Sequence, residues 1–171
     1  IFKPVYIPLM EHSYLTPSFA AYLLYAKFVL HMPFYRQERD WEQLGLKISR
    51  ATMANWTIYT GINLFLPVVD RLWELLMKRD LIHCDETRVQ VLHEDGRKAT
   101  TQSYMWLACS GNDGLPKIIY YRYTPTRAGA NAVKLLADFE GTYLICDGYQ
   151  GYNAVVKFHK DLIRCGCWAH L

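Results

Sequence analysis

The sequence has no CxxC pair among its five cysteines, and the ligand spacing of zinc sites is absent. Only Cys165 and Cys167 lie close together along the chain. Most of the cysteines fall in apolar, strand-like segments, where a free thiol packs as a small hydrophobic group. The cysteines therefore give no indication of a zinc site, and they favour a reducing, cytoplasmic compartment.

Long hydrophobic runs are also missing, so no segment of the sequence is predicted to span a membrane. The net charge is small, +3 from 19 basic and 16 acidic residues. Such a charge permits a nucleic acid as partner but does not require one. The sequence contains no internal repeat and no low-complexity tract, which excludes solenoid and fibrous architectures.

What the sequence does contain is enough apolar and aromatic material for a folded core. Half of its 171 residues are hydrophobic, and it has 13 tyrosines and 5 tryptophans. This length suits one full domain and a smaller helical one. We predict a helical segment over residues 1–79 and an α/β domain over residues 80–171. Because the chain starts at Ile1 rather than Met, we also expect that an N-terminal segment has been lost.

The helical segment has the pattern of a helix-turn-helix over Tyr35 to Thr60. Gly45 is predicted to end one helix, and Ser49 to cap the next. Further on, Pro67 is predicted to kink or restart that second helix. A plain helical hairpin that packs against the core fits the same pattern. If the segment binds DNA, the side chains expected to reach it are Lys47, Arg50 and Asn55.

After Asp80 the periodicity changes from helical to that of strands. Thr126 is predicted to cap a helix that runs to Phe139, and a second helix is predicted over Tyr149 to Phe158. The resulting order is βββαβαβ. The predicted strands are Leu81–Leu92, Ser103–Ser110, Lys117–Tyr123, Thr142–Cys146 and Leu162–Trp168.

Two aspartates stand out in this domain. Asp85 lies inside an apolar strand, where a buried carboxylate is costly unless a cation or hydrogen bonds compensate. A solvent-exposed edge strand would explain the aspartate at this position equally well. Asp147 ends the apolar run before Gly148, where functional groups of α/β sheets gather. Ordinary turn chemistry also places Asp before Gly.

The predicted element order connects the two aspartates. In an RNase H-like sheet the fourth strand lies beside the first, so Asp85 and Asp147 would face each other. Two carboxylates in this arrangement can hold a pair of divalent ions about 4 Å apart, which activate a water or a 3′-hydroxyl group. Mg²⁺ suits the role because it prefers carboxylate oxygens and keeps waters for the substrate.

Several strings of residues resemble transposases of the insertion sequence 66 family, in order and over nearly the whole chain. They are HMPFYRQE, ISRATMANW, HCDET, GRKATTQSYMW, CDGYQGYNAV and CGCWAHL. The resemblance implies an RNase H-like core with an Asp-Asp-Glu triad that binds two Mg²⁺ or Mn²⁺ ions. The first two acids fall on Asp85 and Asp147, and the Glu lies beyond a CWAH-like string. Since no acid follows Asp161, we expect this fragment to be inactive alone.

The resemblance also implies a function and partners. The activity would be metal-dependent DNA strand cleavage followed by 3′-hydroxyl strand transfer. The partner would be double-stranded DNA, as transposon ends and as target. The protein would assemble as a homo-oligomer with accessory transposition proteins. Its location would be the bacterial cytoplasm, at the nucleoid and not at a membrane. One alternative is another RNase H-like nuclease, such as a junction resolvase. A second is a decayed, non-catalytic DNA-binding remnant of a transposase.

The remaining charged candidates give weaker signals. Glu86 points away from Asp85 on an ideal strand, which favours a structural role. Arg97 and Lys98 lie in a predicted hairpin loop and are candidates for phosphate contacts. Arg127 opens a predicted helix, where a cation is unfavourable unless it has an anionic partner such as DNA.

Overall fold

The computed structural model describes residues 7–170, so the predictions that involve residues 1–6 and 171 lie outside the described part. The chain divides into two compact units, Ile1–Val68 and Val69–Leu171. This division falls earlier than the expected 79/80 boundary. The reason is that Leu76 and Met77, although helical, belong to the buried core of the second unit. None of the helices in the described part is long and apolar enough to cross a membrane.

The first unit contains three helices, α1 (Pro17–Phe28), α2 (Phe34–Gln43) and α3 (Arg50–Thr60). The Ser49 side chain accepts a hydrogen bond from the backbone N–H of Thr52, which confirms it as the N-cap of α3. Gly45 follows α2 with a φ of 81°, a left-handed conformation that suits glycine. The buried core of this unit is formed by Leu15, Ala20, Leu23, Met53 and Trp56.

The helix that follows α3 is interrupted as expected near Pro67. A π-helical segment, Gly61–Phe65, separates α3 from α4 (Leu66–Met77). Pro67 lies in the first turn of α4, where its missing N–H costs least. The π-helical segment Gly61–Phe65 thus interrupts the regular α-helix shortly before Pro67.

The second unit is built on a five-stranded mixed sheet with the order β3-β2-β1-β4-β5. The strands β1 to β3 pair antiparallel, whereas β4 pairs parallel with both β1 and β5. The expected βββαβαβ order and the RNase H-like placement of the fourth strand beside the first are confirmed. The strands are β1 (Leu81–Gln90), β2 (Gln102–Ser110), β3 (Ile119–Thr124), β4 (Tyr143–Cys146) and β5 (Ile163–Gly166).

Two helices accompany the sheet, α5 (Gly129–Leu135) and α6 (Asn153–Phe158), with a 3₁₀ turn at Gln150–Tyr152. The predicted cap at Thr126 is wrong, since Ala128 is the N-cap. The Thr126 hydroxyl and carbonyl oxygens instead accept hydrogen bonds from Asn131. The core residues of the sheet and of these helices include Ile82, Cys84, Trp106, Ala108, Leu135, Leu144, Cys146 and Val155.

Candidate active site on two adjacent parallel strands

Asp85 lies on β1 and is half-buried. Its neighbours Cys84 and Glu86 point to the face of the sheet that carries the core, so alternation turns Asp85 to the opposite face. Its Oδ1 accepts the backbone N–H of Glu86 at 2.8 Å. Asp85 lines a cleft of about 500 Å³, together with His83, Lys117, Cys167 and His170 among others.

Asp147 lies immediately after β4, at its carboxyl end. Its Oδ1 accepts the backbone N–H of Tyr149 at 2.9 Å, which fixes a tight turn. Asp147 lines a second cleft of about 270 Å³, whose walls include Gly148 and Arg164. Cys167 and His170 line both this cleft and the one at Asp85.

The strand register relates the two aspartates. The parallel pairing of β1 and β4 matches His83 with Ile145, and Asp85 and Asp147 each follow these partners by two positions. Asp147 therefore lies just beyond the carboxyl end of β4, and Asp85 lies at the matching level of the neighbouring strand β1, which continues to Gln90. Their role as catalytic metal ligands remains a prediction.

Arg164 on β5 holds the turn that carries Asp147. Its Nη2 donates to the carbonyl oxygens of Asp147 at 2.6 Å and Tyr149 at 3.1 Å. Its Nη1 donates to Asn153 Oδ1 at 2.6 Å, and its Nε to Cys146 Sγ at 3.2 Å. One guanidinium group thus ties the end of β4, the turn and the start of α6 together.

Glu86 points to the opposite side of β1 from Asp85, as alternation predicts. Its side chain is only 1% exposed. Oε1 accepts a hydrogen bond from Arg127 Nε at 2.6 Å and forms an ion pair with Arg127 Nη2 at 2.5 Å, and Oε2 accepts a hydrogen bond from the Tyr152 hydroxyl at 2.8 Å. These partners offset the cost of burying a carboxylate. Burial is the largest cause that raises the pKa of Tyr152, and the nearby Glu86 carboxylate raises it further, so Tyr152 keeps the proton that it donates.

Arg127 bridges Glu86 and the Asp147 turn. Its guanidinium lies 4.0 Å from the centre of the Tyr149 ring, and its Nη2 is 3.8 Å from Asp147 Oδ2. Its carbonyl oxygen accepts the Tyr149 hydroxyl. Burial alone would lower the pKa of Arg127, but the Glu86 hydrogen bond and the nearby negative charges raise it.

Two glycines permit this arrangement. A Cβ atom on Gly129, at the start of α5, would lie 2.8 Å from the carbonyl oxygen of Gly151. The backbone after Arg127 can therefore approach the segment after Asp147 closely. A bulkier residue at position 129 would force these two segments apart.

His83 adds a polar group beside Asp85. Burial, and then the charge of Lys117, lower the pKa of His83. A lowered pKa keeps this imidazole neutral at physiological pH. The wall of the Asp85 cleft therefore presents a neutral ring next to the carboxylate.

The available ligands fit a hard divalent cation in part. Mg²⁺ in proteins is commonly bound through one or two carboxylates, with waters and substrate phosphates completing its shell. Asp85 and Asp147 each use Oδ1 for a local backbone hydrogen bond, so Oδ2 is the oxygen that would bind a metal. Among residues 7–170 no group of three or more His, Cys, Asp or Glu side chains is arranged to hold a metal.

The predicted DNA contacts in the helical unit, Lys47, Arg50 and Asn55, are all exposed. The backbone N–H of Arg50 donates to Glu38 Oε1 at 2.9 Å. An acidic side chain from α2 thus occupies the start of α3, where a phosphate would otherwise bind. The side chain of Arg50 extends from this same point, and its DNA contact remains a prediction.

The hairpin residues differ from each other. Arg97 donates to Glu94 Oε2 at 2.8 Å, to Ser103 Oγ at 2.9 Å and to the carbonyl of Gln102 at 3.0 Å, so it fastens the hairpin. Lys98 is exposed. Their phosphate contacts are untested predictions, and the structure gives Arg97 a clear structural use.

Sequence reasoning missed Arg164 and the partners of Arg127. No local pattern indicated the role of Arg164, because its hydrogen-bond partners lie on other segments of the chain. The anionic partner that Arg127 requires proves to be Glu86, which lies 41 positions away along the chain. The only available signal was that β1 directs Glu86 into the core, where a cation has to meet it.

Comparisons with known proteins show the family of the chain. Residues 12–171 match the profile of the transposase IS66 family. Two proteins of Sinorhizobium fredii (strain NBRC 101917 / NGR234), described as uncharacterized proteins y4qI and y4jD, are each 28% identical to the chain. The alignments cover 95% and 86% of the chain, but only 32% and 29% of these relatives. A solved structure titled Mos1 transposase paired-end complex with left transposon end matches 97% of the chain and 61% of its own, with a TM-score of 0.32 and 14% identity.

Proposed function

Because the chain belongs to the transposase IS66 family, we propose that it is part of a DNA transposase whose metal site contains Asp85 and Asp147. The proposed activity is metal-dependent DNA strand cleavage followed by transfer of the freed 3′-hydroxyl to target DNA. The chain spans about a third of the length of the curated relatives that it matches, so this activity is proposed for the larger protein.

The observation that supports the assignment is the position of the two carboxylates. They follow the paired residues of adjacent parallel strands, β1 and β4, by the same number of positions. Ligands of open α/β sheets bind outside the carboxyl ends of strands. A bound Mg²⁺ or Mn²⁺ pair would activate the attacking oxygen and stabilise the leaving one. The protein's part is to hold Asp147 in place through Arg164 and to line the clefts with His83 and His170.

The proposed partner is double-stranded DNA, as transposon ends and as target. The exposed side chains of Lys47, Arg50 and Asn55 would contact it from the helical unit. The same proposal includes assembly as a homo-oligomer and binding of accessory transposition proteins. It also includes a cytoplasmic, nucleoid-associated location. They follow from the family and from the function, rather than from a surface on this chain.

The test is a thermal unfolding series with Mn²⁺, on the chain and on two variants. A ligand that binds only the folded state stabilises it, by about 2.7 kcal/mol when present at 100 times its dissociation constant. We expect Mn²⁺ to raise the melting temperature of the wild type and to have no effect on Asp147→Asn. Asp138→Asn is the matched control, because Asp138 is an exposed aspartate outside the site.

If Asp147→Asn responds to Mn²⁺ as the wild type does, Asp147 is not a metal ligand. If Asp138→Asn loses the response as well, the stabilisation reports general charge and not a site.

A further inference from the structure

The contacts of Arg127 divide its guanidinium into a used edge and a free edge. Nε and Nη2 face Glu86 Oε1, at 2.6 and 2.5 Å. Nη1 donates to no group among residues 7–170, and 40% of the Arg127 side chain is exposed. Arginine binds carboxylates and phosphates through two donors at a time, so the free edge can take a second anion.

The same contacts leave Arg127 in an ion pair with Asp147 that lacks a hydrogen bond. Nη2 lies 3.8 Å from Asp147 Oδ2, beyond hydrogen-bond distance, although the two groups are opposite in charge. Glu86 and the Tyr149 ring hold the guanidinium in this position. Without Glu86, the flexible arginine would be free to close the remaining gap and form a direct ion pair with Asp147.

We propose that Glu86 is a positioning residue, which holds Arg127 off Asp147 and aims its free edge at a DNA phosphate beside that carboxylate. The inference rests on the proposed function, since it assumes that Asp147 binds the metal. A direct Arg127–Asp147 pair would occupy the oxygen that the metal needs. A fixed guanidinium close by offsets the repulsion between Asp147 and an incoming phosphate.

The first test is a double-mutant cycle on Mn²⁺ affinity, measured by the electron paramagnetic resonance signal of free Mn²⁺. Glu86→Gln releases Arg127 and should weaken Mn²⁺ binding by about fivefold, the upper range of one exposed ion pair. Arg127→Ala should bind Mn²⁺ at least as well as the wild type. In the Arg127→Ala background, Glu86→Gln should then have little effect, because no arginine remains to be released.

Equal losses from Glu86→Gln in both backgrounds would overturn the proposal, since they would mean that Glu86 acts only through its own charge. Arg127→Lys provides a variant that keeps Glu86 and a cation beside it. Lysine lacks the rigid pair of donors that Glu86 holds, so its ammonium group is less firmly positioned and should weaken Mn²⁺ binding relative to Arg127→Ala. If Arg127→Lys binds Mn²⁺ as tightly as Arg127→Ala, the positioning role is also refuted.

The second test concerns the phosphate. Affinity for duplex DNA falls with salt, with a logarithmic slope of about 0.9 per phosphate neutralised. Arg127→Ala should reduce this slope by about one phosphate, whereas the control Arg71→Ala, in an exposed pair with Glu74, should leave it unchanged. An unchanged slope for Arg127→Ala would remove the phosphate from the proposal.

Failure of the proposed function gives a different result from failure of this inference. If Asp147→Asn retains Mn²⁺ binding, the metal assignment fails whatever the cycle shows, and the inference fails with it. If Asp147→Asn loses Mn²⁺ but the cycle is additive, the metal site stands and only the role of Glu86 is wrong.

Discussion

Replacing Arg164 with Met removes the guanidinium that holds the Asp147 turn and keeps most of the apolar stem. Four hydrogen bonds are lost, to the carbonyls of Asp147 and Tyr149, to Asn153 Oδ1 and to Cys146 Sγ. A hydrogen bond to a charged group contributes about 1.5–3 kcal/mol, but these four share one guanidinium group, so their contributions do not add. Arg164 is half-buried, so water replaces part of what is lost.

We therefore expect Arg164→Met to lower the free energy of unfolding of the second unit by about 2–3 kcal/mol. Urea denaturation gives the global value. Hydrogen exchange at the Tyr149 amide, which donates to Asp147 Oδ1 at 2.9 Å, reports the turn itself and should accelerate. Mn²⁺ affinity should fall with it, because the proposed ligand is no longer held.

The matched control is Arg71→Met. Arg71 is an arginine in an exposed pair with Glu74, and its loss should cost well under 1 kcal/mol. A loss below about 0.5 kcal/mol for Arg164→Met, together with unchanged exchange at Tyr149, would refute the reasoning. It would show that the turn is held by its own backbone geometry rather than by β5.

Two further predictions concern the helical unit and the hairpin. Arg50→Ala should weaken duplex DNA binding and reduce its salt slope by about one phosphate; an unchanged binding curve would favour a helical hairpin that only packs. The hydrogen bond from the Tyr123 hydroxyl has the largest effect on Glu94 and lowers its pKa. Burial opposes this effect, but Ser103 and Arg97 lower the pKa further, so it lies below its ordinary 4.5. A lowered carboxyl pKa stabilises the fold above about pH 4.5, and this stabilisation is lost as the pH falls through the folded-state pKa. The protection of the hairpin amides, which is the intrinsic exchange rate divided by the observed rate at the same pH, should therefore fall on acidification, and Glu94→Gln should remove that response; protection that does not change in acid would contradict the assignment.

The parts of the fold that the sequence predicts are those set by local pattern. The Ser49 cap needs only a side-chain oxygen three residues before a helical N–H, and both are visible in the sequence. The order of strands follows from period-two runs and their turns. Alternation along β1 correctly separates Glu86 from Asp85.

The parts that it does not predict depend on contacts between distant segments. Thr126 is a residue type that often caps helices, but its hydroxyl oxygen accepts a hydrogen bond from the Asn131 side chain, and the helix begins only at Gly129. The pairing of Arg127 with Glu86 joins residues on separate elements, and no local rule relates them. The position of Arg164 under the Asp147 turn likewise requires that β5 pair with β4.

The bonds from Arg164 also have a consequence for the order of folding. Arg164 lies 17 positions after Asp147, on a strand that pairs with β4. As the chain leaves the ribosome, Asp85 and the β1–β2 hairpin are synthesised well before the residues that hold the Asp147 turn. The bonds from Arg164 can form only when Ile163–Gly166 joins the sheet, so the turn that carries Asp147 gains this support late in folding. A nascent chain that ends before β5 would carry both aspartates without the Arg164 hydrogen bonds to the Asp147 turn.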